Sequence, residues 1–111
     1  MKAKKIKTIS YTYIIGDLFH YGHLQLLKKA KIKADVHICG IISDNAADRW
    51  QSPLICNYNE RSSVIEQVKY VDEIMKQDTL DPSDNLEKIR KKYPYAKIYF
   101  FPMYQKWDTM H

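Results

Sequence analysis

The chain has 111 residues, of which 45% belong to the hydrophobic set and 28% are charged. That length suits one domain around one core, spanning residues 1–111, and the Ile, Leu, Val and Tyr content excludes a disordered chain. No apolar run approaches the roughly 20 residues needed to cross a bilayer, and the basic first seven residues lead into no greasy segment with a cleavage site, so neither a membrane span nor a secretory leader is expected.

Along the chain the apolar period switches repeatedly between two and about 3.6, the signatures of strand and helix. Ile6 to Ile15, rich in β-branched residues and Tyr, predicts a first strand. Leu24, Leu26, Leu27, Ala30 and Ile32 then recur at helical spacing through a Lys-rich segment. Val36 to Ile42 is nearly continuous apolar sequence, as in a strand covered on both faces. Ser43 to Asn57 is polar, contains Pro53 and reads mostly as loop. Asn57 with Glu60 forms a capping box for a helix whose buried stripe would be Val64, Ile65 and Val68.

Val71 to Met75 predicts a short third strand. Pro82, Ser83 and Asp84 open a helix running to Tyr93, where Pro94 stops it. Lys97 to Phe101 predicts a fourth strand, ended by Pro102. Strands alternating with helices imply right-handed crossovers and an α/β fold: a Rossmann-like parallel sheet of four to five strands with helices on both faces. Such sheets bind ligands outside the carboxyl ends of their strands. The loops after Ile15, Ile42, Met75 and Phe101 are therefore the places to look.

Two cysteines, Cys39 and Cys56, have no Cys-x-x-Cys spacing and read as reduced thiols, which points to a cytoplasmic protein. The net charge of +5 is uneven: residues 1–35 hold eight Lys against two Asp, whereas the remainder is nearly balanced. A one-sided basic field favours an anionic partner, either a small phosphorylated molecule or a nucleic acid. The Lys-rich third lacks a reading helix or an RNA-binding motif, so nucleic acid is the weaker option.

The segment richest in chemistry is Gly16-Asp17-Leu18-Phe19-His20-Tyr21-Gly22-His23, between the first strand and the first helix. His20 and His23 lie three apart where the helix begins, so both rings can face one side. Gly22 has no β-carbon and lets an oxyanion near the backbone, while the first turn supplies unpaired N–H groups and the positive end of the helix dipole. These parts together make a phosphate-binding corner suited to stabilising charge that grows in a transition state. Zinc is the rival ligand for the pair. It needs a third ligand that neither His37 nor His111 is placed to supply, so direct ligation of a metal by the protein is not expected.

The run from Gly16 through His23 into Leu24, Leu26, Leu27, Ala30 and Lys31 resembles the signature of the cytidylyltransferase-like nucleotidyltransferases, the His-x-Gly-His superfamily. The likeness continues through Tyr58-Asn59-Glu60-Arg61 and Val68-Lys69-Tyr70-Val71-Asp72-Glu73-Ile74, and covers roughly residues 8–90. Gln77-Asp78-Thr79-Leu80 and Asn85-Leu86 are also similar to cytidylyltransferase domains found with phosphonate-biosynthesis enzymes. The resemblance implies transfer of CMP from CTP to a small phosphorylated or phosphonylated alcohol, with Mg²⁺ accompanying CTP and pyrophosphate leaving. It implies that His20 and His23 bind the CTP phosphates, that Asp17 orients the site or its metal, and that Gly16, Gly22, Arg61, Lys69 and Trp107 border the nucleotide. Without the resemblance, Arg61 and Lys69 would read as a solvated helix face, as Asp72 and Glu73 are expected to be in any case. A homodimer, or a place in a larger polypeptide, also fits the resemblance.

Three departures stand out. The family's Gly-Thr-Phe-Asp is here Ile14-Ile15-Gly16-Asp17; the expected loop lysine falls near Gln51 or Ser52; and the family's acidic pair after the fourth strand is missing from Pro102-Met103-Tyr104-Gln105-Lys106-Trp107. The family's closing segment, Gly-Ile-Ser-Thr-Thr on a helix start, has no counterpart, so the chain is expected to be a fragment of a longer polypeptide or to have reduced or lost activity. The alternative to an enzyme is a catalytically degenerate module of the same fold that binds a nucleotide or a partner.

Overall fold

The computed structural model describes residues 5–50 and 53–102. Its elements are β1 (Thr8–Ile14), α1 (Tyr21–Ile32), β2 (Val36–Ile42), α2 (Asp44–Trp50), α3 (Tyr58–Ile65), β3 (Glu73–Gln77), α4 (Ser83–Lys92) and β4 (Lys97–Phe101). The four strands form one parallel sheet in the order β3-β2-β1-β4, an α/β Rossmann-like arrangement. Among the described residues no helix is long and apolar enough to cross a membrane.

β1 is central, and its alternation feeds two cores. Ile9 and Tyr11 pack on one face with Ile38, Ile89 and Ala96, which places α4 there. Ile14 lies on the other face with Leu27, Cys39, Ile41 and Ile65, beneath α1 and α3. The first, second and fourth strands and the first, third and fourth helices fall where the sequence predicts them.

Two elements differ. The segment read as loop after β2 contains α2. The Ser43 hydroxyl accepts the Ala46 N–H at 3.3 Å, and Ala46 and Ala47 bury against Ile15 and Ile42. Among the described side chains of α2 only these two small apolar residues face inward, so periodicity gives almost no signal, and Pro53 follows the helix without interrupting it. β3 lies two residues later than expected. It is an edge strand that tolerates the exposed Lys76, and it buries Gln77 through a 2.6 Å hydrogen bond from the Tyr11 hydroxyl. A search for apolar runs stops before both.

The Asn57–Glu60 capping box is formed reciprocally, each side chain accepting the other's backbone N–H at 2.9 Å. The buried stripe of α3 is Arg61 and Ile65, however, and Val64 is 52% exposed. Val68 packs against the core from the turn beyond the helix.

Candidate active site

The loop between β1 and α1 leaves the carboxyl edge of the sheet through Ile15 and ends on His20, the N-cap of α1, with extended backbone (φ −139°, ψ −176°). The His20 Nδ1 accepts the Gly22 N–H at 3.0 Å, and the His23 Nδ1 accepts the His20 N–H at 3.0 Å. Two histidines thus fill the roles that Ser or Thr and Glu fill in an ordinary capping box. An Nδ1 that accepts has no proton, so each neutral ring carries its hydrogen on Nε2. The rings lie 4.0 Å apart between centroids at a 38° tilt, and Phe19 stacks on His23 at 5.3 Å. Burial, and then the neighbouring His20, push the His23 pKa down to about 4, so this ring is neutral near pH 7.

Gly22 is required by the His20 ring as much as by any ligand. A β-carbon there would stand 2.8 Å from His20 Cε1. The first turn of α1 has no acidic residue, so nothing on the helix itself cancels its positive end. Two N–H donors and that helix end, at the carboxyl edge of the central strand, can hold an oxyanion.

Asp17 lies three residues before His20, and both of its oxygens are engaged. They accept the N–H groups of Ile55 at 3.0 Å and Cys56 at 2.8 Å, which hold its carboxyl below the usual carboxylate range. Asp17 therefore ties the loop before α1 to the backbone of residues 55–56. Among the described residues no group of three His, Cys, Asp or Glu side chains could hold a metal ion.

Arg61 is not on a solvated helix face. It is 1% exposed and turned inward. Its Nε donates to the Cys56 carbonyl, its Nη1 to the carbonyls of Ile15 and Ile42, and its Nη2 to Asp44 Oδ1 at 2.7 Å. Asp44 was not singled out from the sequence, although its place directly after Ser43, at the end of β2, is a usable signal. Gly16, with φ +72°, turns the chain between the Ile15 carbonyl and Asp17; its missing β-carbon would lie 2.7 Å from Ile65 Cδ1.

Lys69 is also away from the His pair. It is exposed, with its Nζ 5.3 Å from the Tyr70 ring, in the turn before β3. The Tyr70 carbonyl accepts from His37 Nδ1 at 2.7 Å near the start of β2, which puts Lys69 at the amino edge of the sheet, opposite the start of α1. An exposed cation does stand near the carboxyl edge: Lys76 of β3, 5.2 Å from the Tyr58 ring. Trp107 and positions 51 and 52 lie outside the described residues. Asp72 and Glu73 are not merely solvated. Asp72 accepts from Lys31 and from the His37 N–H, and Glu73 accepts from Lys92 and the Tyr93 hydroxyl.

A parallel sheet with a donor pair at the end of its central strand is the layout of α/β domains that handle nucleotides and phosphates. A family model described as cytidylyltransferase-like matches residues 16–107, and the chain belongs to that family. It is 30% identical over 97 residues to the glycerol-3-phosphate cytidylyltransferase of Bacillus subtilis, covering 87% of this chain and 70% of that one. It is 32% identical over 59 residues to the ethanolamine-phosphate cytidylyltransferase of Arabidopsis thaliana, covering 53% of this chain and 14% of that protein. Among solved structures, the lipopolysaccharide core biosynthesis protein of Thermoplasma volcanium superposes with a TM-score of 0.63 over 91% of this chain and all of that one. At 20% identity, that likeness speaks for the fold alone.

Proposed function

We propose that this domain transfers CMP from CTP to the phosphate or phosphonate oxygen of a small alcohol. That oxygen bonds to the α-phosphorus, the bond to the bridging α–β oxygen breaks, and pyrophosphate leaves with the electron pair. The nucleophile is already anionic, so no general base and no covalent enzyme intermediate are needed. Holding the two reactants in line and stabilising the crowded phosphorus supply the acceleration. Bound Mg²⁺ would supply charge neutralisation on the triphosphate.

The observation that carries this reading is the paired Nε2–H donors of His20 and His23, fixed by Nδ1 acceptance at the carboxyl edge of β1. The neutrality of His23 suits donation to a phosphate oxygen without a proton being lost to the leaving group. Gly22 gives the His20 ring its place, Gly16 and Asp17 fix the loop, and Trp107 remains a candidate contact for the base. The names of the cytidylyltransferase relatives support CTP as donor and a phosphorylated alcohol as acceptor.

A second reading has its own observation. Arg61 is turned inward and Lys69 stands at the far edge, so among the described residues the site has fewer cations than the resemblance implies. That favours a module that holds a nucleotide without turnover. Pyrophosphate release from CTP, with glycerol phosphate, phosphocholine and a hydroxyalkyl phosphonate as acceptors, separates the two. Turnover that disappears in the His20→Ala/His23→Ala variant supports transfer. Calorimetric CTP binding without turnover supports the module, and turnover equal in both proteins removes the histidine mechanism.

A further inference from the structure

We propose that Asp17 and Arg61 form one positioning clasp, acting through the backbone of Ile55 and Cys56, that sets the path of the loop into His20. The bonds close a ring. From the Ile15 carbonyl the chain passes Gly16 to Asp17, whose carboxylate takes the Ile55 and Cys56 N–H groups. The Cys56 carbonyl takes Arg61 Nε at 3.1 Å, and Arg61 Nη1 returns to the Ile15 carbonyl at 2.6 Å. The same guanidinium also ties in the end of β2 at Ile42 and the start of α2 at Asp44.

A buried guanidinium is tolerated because its planar fork meets several acceptors at once, which a lysine cannot do. The loop shows a sign of being held. Leu18, directly after Asp17, has φ +53°, a left-handed conformation that is unfavourable for a non-glycine residue. Its side chain is 58% exposed, so burial is not what holds it there. The backbone on either side does, and Asp17 is the anchored residue next to it. Two residues after Leu18 stands His20, whose backbone N–H donates to His23 Nδ1 and whose own Nδ1 accepts the Gly22 N–H. Neither Asp17 nor Arg61 then needs to touch the nucleotide to matter, and both act by orientation. The functional half of this inference rests on the transfer reaction proposed above; the structural half does not.

The test pairs native-state amide exchange with turnover in Asp17→Asn, Arg61→Lys and the double variant. Asp17→Asn should speed exchange of the Ile55 and Cys56 amides by about tenfold or more. The distinguishing result is Arg61→Lys: it leaves the acceptor of those two amides in place, yet should speed them as well. The double variant should exceed the faster single variant by no more than about twofold, since both break one ring. Pyrophosphate release should fall by about tenfold or more, while the calorimetric Kd for CTP stays within about threefold. Wild-type exchange at Ile55 and Cys56 in Arg61→Lys, or CTP affinity lost in step with turnover, would overturn the clasp. If Arg61→Lys does not fold, Asp44→Ala removes the guanidinium's partner from a half-exposed site and must speed the same amides. A wild-type protein that ignores CTP sinks the transfer reading, and the exchange arm alone then decides the clasp.

Discussion

The two edges of the sheet each hold histidine, and they use it in opposite ways. At the amino edge His37 is 0% exposed, with Nδ1 donating to the Tyr70 carbonyl and Nε2 accepting the Thr12 hydroxyl at 2.9 Å. At the carboxyl edge His20 and His23 spend Nδ1 on the backbone and keep Nε2 for something else. The same side chain has both ring nitrogens matched inside the protein in one place and one nitrogen left to face outward in the other. What separates them is whether the second nitrogen is already matched, which burial alone does not reveal, since burial lowers the pKa of both His37 and His23.

The comparison breaks first at the reactive edge. Replacing either His20 or His23 by Ala should lower single-turnover pyrophosphate release by about 10²–10³-fold, the usual effect of losing one donor to developing charge. At the structural edge, His37→Ala should cost about 2–4 kcal/mol in urea unfolding, because a buried carbonyl and hydroxyl lose partners and a void opens. CTP affinity, measured on the fraction that stays folded, should not change. A His37 variant with wild-type stability would erase the distinction.

Gly22→Ala sharpens the contrast further. The β-carbon displaces the His20 ring, so turnover should fall about tenfold, comparable to a misplaced catalytic group. Its melting temperature should barely move, because the roughly 1 kcal/mol helix preference of Ala over Gly offsets about 1 kcal/mol of lost cap.

The pH dependence of stability is a smaller effect. The His23 pKa is lowered in the folded protein to about 4, below its ordinary 6.5, so the unfolded chain binds more protons between those values. The His23 contribution is full above pH 6.5 and is lost as pH falls towards about 4. A His23→Gln variant should show a flatter stability curve through that window, and NMR titration of the His23 ring should give its midpoint near the lower value. Smallest of all, Lys69→Ala should leave turnover within about twofold, as expected for a surface charge far from the site.

Much of this was legible in the sequence where physics is local. The Asn57–Glu60 box, the apolar β2 run and the Pro94 stop are each decided by neighbours in the chain. The histidine corner was legible too, because its parts lie within eight residues. What escaped was direction. Arg61 reads as a charge, but it stands four residues before the buried Ile65 on an eight-residue helix, the spacing of a single face. Lys69 precedes a strand of a parallel sheet, which places it at the amino edge whatever its charge. In both, position along the element decides where the charge goes, and residue type does not. The shift of β3 and the missed α2 have another origin: an edge strand and a two-alanine helix need so little apolar sequence that periodicity cannot mark them.

One consequence follows from the way α1 begins. Its cap is made from the very imidazoles that would meet the triphosphate, so fraying of that first turn dismantles the reactive corner in the same event. Gentle heating should extinguish activity at a temperature where the sheet is still intact. Any ligand gripping both rings should, in return, knit the helix tip shut and quench that early loosening.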